Sequence, residues 1–378
     1  MFPLIDASGK SRERGRIHGD RAKARVARSI ATYARLFAYC GIDWRDAQRR
    51  GRAYRDAIGA LGADLIEEIE GIAEGCGREA DEILALNTRT EILPPTFPGD
   101  PHPRWRELDA GNRASGIPDW GECTALAVPP RASSTGGTLL AQNWDWLGAQ
   151  REALILLRAG PADAPAYLTL TEAGMLAKVG FNEHGFGVCL NILRSSADGE
   201  QAGTPVHPLL RALLGCRDVE EAVATASALS FGASSNVLCA DAAGDAANLE
   251  FSPAGLHVLR GDGGTLCHTN HFLSPAGERG QSVLAPSLSS VPRLTRARAL
   301  VETRGRLGVA ELQQILRDES DGLLAICRHP DPSLPEEARV ESVASVIMEL
   351  SARRMHVAPD VPSLANYETV ALAAAVPV

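Results

Sequence analysis

A cysteine placed where an exposed connector meets a strand has the setting of a nucleophile. Cys123 has that setting, within Gly121-Glu122-Cys123-Thr124-Ala125. The plainer account of such a residue is a small apolar side chain buried at a strand end. A second cluster, Cys267-His268-Thr269-Asn270-His271, brings two imidazoles and a thiol together at metal-like spacing, and a zinc or thiol site is one reading of it. No partner cluster of ligands follows at a recognisable distance. Asp145 lies between Trp144 and Trp146. A carboxylate there can end a strand facing water, and the two indoles either pack a core or line a pocket. His184 and His207 stand alone near turns, and Asn270 by itself reads as a turn residue. The chain has no phosphate-binding glycine loop, GxSxG elbow or H-E-x-x-H pair.

The elements that must position these residues change in kind along the chain. Ile17–Tyr39 carries Val26, Ile30, Tyr33 and Phe37 at steps of three and four, and Leu61–Cys76 repeats the pattern through Leu65, Ile69 and Ile72. Both spacings predict helices, the second stopping at Gly75 and Gly77, with a short third helix capped by Asp81. Pro94–Trp120 then holds Pro94, Pro95, Pro98, Pro101, Pro103 and Pro118, a density that excludes regular structure. Such a stretch is an interdomain linker or a segment held open for cleavage. Short β-branched runs follow at Thr124–Val128, Thr138–Asn143, Ala153–Leu157 and Tyr167–Thr171, and Lys178–Phe181 and Gly187–Asn191 flank a hairpin turn. Helices are expected at Pro208–Leu214, Val219–Leu229, Arg293–Thr303 and Val309–Asp318. Strands are expected at Ser235–Ala240, Ala246–Phe251, Val343–Leu350 and Arg354–Val357. Blocks of strands and blocks of helices predict stacked layers with antiparallel sheets, an α+β class.

Composition sets outer limits. The 378 residues are 45% apolar and 22% charged, which permits a sizeable core. A formal charge of -9 argues against nucleic acid as a partner. The basic run from Arg12 to Arg28 reads as the solvated face of a helix. The opening residues lack a secretory signal and Val370–Val378 is too short to span a bilayer, so no membrane association and a cytoplasmic location are the expectation. Eight scattered cysteines without a C-x-x-C pair read as reduced thiols.

Seven stretches fall into a familiar order. Asn87-Thr88-Arg89-Thr90-Glu91, Cys123-Thr124, Gln142-Asn143-Trp144-Asp145, Thr171-Glu172-Ala173-Gly174, Lys178-Val179-Gly180-Phe181-Asn182, Glu250-Phe251-Ser252-Pro253 and His268-Thr269-Asn270-His271 resemble the penicillin (isopenicillin N) acyltransferase family of cysteine N-terminal-nucleophile enzymes. The likeness runs from about Gly15 to Met348. It implies a four-layer αββα sandwich with two antiparallel sheets. It also implies self-cleavage between Glu122 and Cys123, leaving residues 1–122 as a mostly helical fragment and 123–378 as the catalytic fragment of one shared core. The freed α-amine, with an ordinary pKa of roughly 7.7–8.0 against roughly 8.5 for a thiol, would then be the general base for the Cys123 sulfur.

By the same resemblance Asn270 supplies an oxyanion donor, Asp145 orients the Cys123 amine, and Arg339 places Asp145 or binds a substrate carboxylate. Ser252 serves self-processing, or is simply a polar residue before Pro253. Two positions depart from the family. Glu122 stands where the penicillin enzyme has glycine, and Ala338 where the family has a second serine. The implied substrate is a small N-acyl amide or peptide-like amide, hydrolysed or transferred through an acyl-enzyme, with no cofactor and no metal. The rival from another class is a non-catalytic small-molecule binder that keeps the fold; the joint presence of Cys123, Asp145 and Asn270 speaks against it.

Overall fold

The computed structural model describes residues 1–94, 123–162, 164–274 and 289–372. Most of the proline-rich connector, and Glu122 after it, lie outside the described residues. Two sheets carry the architecture. The larger runs β1 (Leu4–Gly9), β4 (Leu154–Pro161), β5 (Tyr167–Glu172), β6 (Val179–Asn182), β7 (Gly187–Ile192), β8 (Ser235–Ala240), β9 (Ala246–Ser252) and β10 (Gly255–Arg260) in that spatial order. Among its described pairings only that of β1 with β4 is parallel. The smaller sheet runs β11 (Leu266–His268), β2 (Cys123–Val128), β3 (Leu139–Leu147), β12 (Val340–Glu349), β13 (Arg354–Ala358) and β14 (Glu368–Ala371), and its described pairings are all antiparallel.

Strand alternation shows how the layers stack. Along β2 and β3, Cys123, Ala125, Ala127, Leu140, Trp144 and Trp146 belong to one hydrophobic cluster, while Leu126, Val128, Leu139 and Ala141 belong to another. Side chains two apart share a face of a strand. The first set therefore packs between the sheets. The second packs outward against α10 (Ser290–Arg304) and α11 (Val309–Leu316), through Leu294, Ala297, Leu312 and Ile315. Covered on both faces, β2 and β3 are buried at every position. The remaining helices, α1 (Ser11–Arg21), α2 (Lys23–Tyr39), α3 (Trp44–Arg52), α4 (Arg55–Leu61), α5 (Ala63–Cys76), α6 (Ala80–Asn87), α7 (Arg89–Ile92), α8 (Val206–Leu213) and α9 (Val219–Ser227), form the second helical layer, with α1 packing on β1 and β4 and α9 on β9 and β10. The result is the αββα sandwich. No described helix is long and apolar enough to cross a membrane.

The helical layer departs from expectation in detail. The predicted helix from Ile17 is two helices divided at Ala22, and α5 stops at Cys76 because Gly77 takes the left-handed conformation (φ 69°). Asp81 does not cap α6; Glu79 does, in a reciprocal capping box with Glu82. Helices α1 and α5 meet backbone to backbone. A Cβ on Gly15 would collide with the Glu68 carbonyl, and one on Gly71 with the Arg12 carbonyl. That close approach seats Glu68 among Arg14 (2.6 Å), Tyr167 (3.3 Å) and Arg211 (3.4 Å), an ionic cluster buried under β5.

Overpacking a tight contact costs about 1–3 kcal/mol. Gly71→Ala is accordingly expected to destabilise the protein by about that amount in urea unfolding. Gly59→Ala in α4, where a Cβ meets only Ile66 Cγ1 at 4.0 Å, is expected instead to be neutral or to gain up to about 1 kcal/mol. Equal effects of the two substitutions would contradict the backbone contact.

Candidate active site

Cys123 is the first residue of β2, 3% exposed, and it is held at both backbone ends. Its nitrogen donates to Asn270 Oδ1 at 2.7 Å. Its carbonyl accepts from Arg293 Nη1 at 2.8 Å and from Asn191 Nδ2 at 3.1 Å. Arg293, fully buried on α10, also donates to Thr124 Oγ1 and, through Nη2, to Asn270 Oδ1, both at 3.0 Å. A planar fork thus ties two acceptors on β2 to the Asn270 amide oxygen just past β11. One N–H of the Asn270 amide is committed to the Ile192 carbonyl at 2.9 Å. Burial, with the Asp145 charge added, pushes the Cys123 thiol up to about 11; Lys178 acts in the opposite direction.

The wall facing Cys123 is a chain of buried charges and rings. Trp144 is the register partner of Cys123, and Lys178 Nζ lies 3.6 Å from the centroid of its ring. Glu172, on β5, faces Lys178 Nζ at 3.7 Å and Arg89 Nη2 at 3.3 Å, and accepts from the Tyr33 hydroxyl. Trp146 Nε1 donates to that hydroxyl at 2.9 Å, and the Arg89 guanidinium sits 4.4 Å from the centroid of the Trp146 ring. Burial pushes Lys178 down to about 7, with Glu172 opposing the shift and Arg89 adding to it. The flanking motif residues are staples. Asn87 joins α6 to the Gly174 carbonyl (2.9 Å) and the Leu176 amide (2.9 Å). Gln142 exchanges two hydrogen bonds with Leu190 across the sheets.

The sequence-derived candidates do not all gather here. Asp145 accepts from Ser342 Oγ at 2.6 Å across β3 and β12, and its charge reaches Cys123. The Cys123 nitrogen itself goes to Asn270, so the described bond that orients it comes from the asparagine and not from Asp145. Arg339 donates to the carbonyls of Pro332 (3.2 Å) and Leu334 (2.8 Å), and it is Ser342 that holds Asp145. Ser252 Oγ, at the end of β9, accepts from the Ala254 amide at 3.2 Å, as a turn residue does. Glu122 lies outside the described residues.

Nor is the zinc arrangement formed. Cys267 packs in the outer hydrophobic cluster, His268 pairs with Glu250 at 2.8 Å, and His271 contacts Ser290 at 2.8 Å. Among the described residues the grouping with metal-like spacing is Glu319, Cys327 and His329, where His329 and Glu319 already bond to each other at 2.6 Å.

Four residues of the site escaped the sequence reading: Lys178, Arg293, Asn191 and Ser342. A lysine inside the apolar run Met175-Leu176-Ala177-Lys178-Val179 was the one available signal. Arg293 looked like any helix arginine, because its acceptors at Cys123, Thr124 and Asn270 come from distant parts of the chain.

Residues 133–363 match the family described as acyl-coenzyme A:6-aminopenicillanic acid acyl-transferase. A relative from Emericella nidulans, the 40 kDa form of acyl-coenzyme A:6-aminopenicillanic-acid-acyltransferase, is 30% identical over 86% of this chain and 84% of its own. Among solved structures, a mutant of conjugated bile acid hydrolase from Clostridium perfringens aligns at TM-score 0.48 and 12% identity, over 66% of this chain and 92% of that one. Penicillin V acylase from Agrobacterium tumefaciens aligns at TM-score 0.39 and 15% identity, over 62% and 82%. The chain belongs to the acyl-coenzyme A:6-aminopenicillanic acid acyl-transferase family.

Arg293→Lys keeps the charge and loses the fork. Charged hydrogen bonds contribute roughly 1.5–3 kcal/mol each way, so this variant is expected to lose about that much stability while Cys123 becomes more reactive to iodoacetamide at pH 8. Unchanged stability and labelling would contradict the bracing role.

Proposed function

From membership of that family, we propose that the protein is a self-activating cysteine amidohydrolase or acyltransferase whose nucleophile is Cys123. The observation that carries this reading is the bracing of Cys123 at the head of β2: nitrogen on Asn270, carbonyl on Arg293 and Asn191. A cysteine serving only as core filler needs no such fixed backbone. It also begins a strand immediately after the proline-rich connector, where a chain end can exist without breaking a sheet.

The sulfur attacks the Glu122 carbonyl and displaces the Cys123 nitrogen as a free amine, and hydrolysis of the resulting thioester then releases the Cys123 thiol. Residues 1–122 and 123–378 then remain together as two fragments of one core. With a pKa near the roughly 7.7–8.0 of an ordinary α-amine, the new amine accepts the thiol proton at neutral pH, while Asn270 Oδ1 remains its hydrogen-bond acceptor. The thiolate attacks a small N-acyl amide or peptide-like amide. Asn270 stabilises the oxyanion through its side-chain amide, a donor of this kind contributing roughly 2.7–4 kcal/mol. Asp145, fixed by Ser342, supplies negative charge beside the aminium. Water or an amine then takes the acyl group. The Emericella relative's name pairs an acyl-coenzyme A with an amine, which supports acyl transfer as an outcome beside hydrolysis.

Purified wild type is expected to give two masses, 1–122 and 123–378, and Cys123→Ala a single chain without activity on a panel of N-acyl amino acids and acyl dipeptides. Wild type that stays whole through prolonged incubation yet turns over amides would overturn the self-activation.

A further inference from the structure

The amine that serves as base during turnover exists only after the chain is cut, so the first cut requires another proton acceptor. Asp145 is a poor candidate, because an ordinary carboxylate, at roughly 3.9, holds a proton weakly against a thiol. Lys178 is different. It is 2% exposed, immediately before β6, where an ammonium is costly to bury. Its fold role does not require the charge, since Glu172 is already matched by Arg89 and by the Tyr33 hydroxyl. Its nitrogen lies over Trp144, the residue paired in register with Cys123, and the two groups feel each other's charge.

The charged and titratable groups facing Lys178 are Glu172 on β5, Arg89 on α7, Cys123 on β2 and His207 on α8. The buried His207 is held neutral, its pKa pushed well down by burial. With burial bringing Lys178 to about 7, its neutral amine is available at physiological pH.

We propose that Lys178 is the proton acceptor for the Cys123 thiol in the uncut chain, an assignment that rests on Cys123 being the self-processing nucleophile. The thiol proton passes to Lys178 Nζ, and the sulfur forms a bond to the Glu122 carbonyl carbon, placing charge on its oxygen. When that intermediate collapses, the C–N bond to Cys123 breaks and the departing nitrogen takes the proton back from Lys178. The products are a Glu122–Cys123 thioester and a free amine. Water hydrolyses the thioester to the Glu122 carboxylate and the Cys123 thiol. From then on the α-amine is the base, and Lys178 is no longer needed as one.

The test follows conversion of freshly translated full-length chain by intact mass between pH 5.5 and 9. Only neutral Lys178 accepts a proton, so the wild-type rate is expected to rise through pH about 7 and then level off. General-base groups contribute roughly 100-fold or more. Lys178→Met should therefore cut at least roughly 100-fold more slowly, without that inflection. Lys178→Arg keeps the positive charge but accepts no proton in this range, so it should also be slow. A merely structural cation would be rescued by it. Melting temperatures identify any variant that fails to fold. A Lys178→Arg chain cut at the wild-type rate, or a wild-type profile flat across pH 7, overturns the proposal while Cys123 processing stands. Wild type that is never cut overturns the reading of Cys123 itself.

Discussion

A single carboxylate, Glu172, ties the helical segment that precedes the connector to the strands that follow it. Arg89 reaches it from α7, Tyr33 from α2 and Lys178 from just before β6. Those partners are buried, so removing the carboxylate would leave the Arg89 guanidinium without its counter-charge in a low-dielectric interior, a loss on the order of 3–5 kcal/mol when one partner of such a pair is deleted. The network also fixes the ring positions of Trp144 and Trp146, which face the same inter-sheet space as Cys123. Charge, ring and thiol positions are therefore not independent. If the chain is cut after Glu122, this network keeps the two fragments joined without a covalent bond.

A second constraint is coverage of β2 and β3 on both faces. A strand buried on one side can leave polar residues in water; these two cannot. Each polar side chain within them must find a fixed partner. Gln142 finds Leu190 across the sheets, Asn143 the carbonyls of Leu316 (2.8 Å) and Ile326 (3.0 Å), and Asp145 the Ser342 hydroxyl. Rigidity at the site thus comes from the sandwich itself. It places a strand's first residue where its nitrogen and carbonyl are both held and its thiol is out of water.

Much of this was legible in the sequence where a pattern was local. The period-two runs at Tyr167–Thr171, Gly187–Asn191, Ser235–Ala240 and Ala246–Phe251 became strands within a residue or two of their expected ends. Helix α11 likewise starts at Val309 as its spacing requires. Strands β1, β10, β11 and β14 were not anticipated. They are edge or near-edge strands of three to six residues whose side chains are partly exposed or whose pairing is long-range, as with β1 on β4. Around Cys123 the ordered motifs supply many of the neighbouring side chains, but partner choice was not readable. Arg339 lies near the end of a short turn and bonds carbonyls there, whereas Arg293, with no motif around it, braces Cys123. Position 342 looked like one more serine in a β-branched run, and only the register of β12 against β3 sets it opposite Asp145.

The central claim is that the sulfur of Cys123 carries the acyl group on a chain that starts at that residue. Acid quenching during turnover of a slow N-acyl substrate, followed by peptide mass mapping, reads both halves of it at once. The account predicts an acyl thioester on a peptide whose first residue is Cys123, bearing a free amine. An acyl group found on any of the other seven cysteines, or on a peptide in which Cys123 is still joined to Glu122, would contradict it.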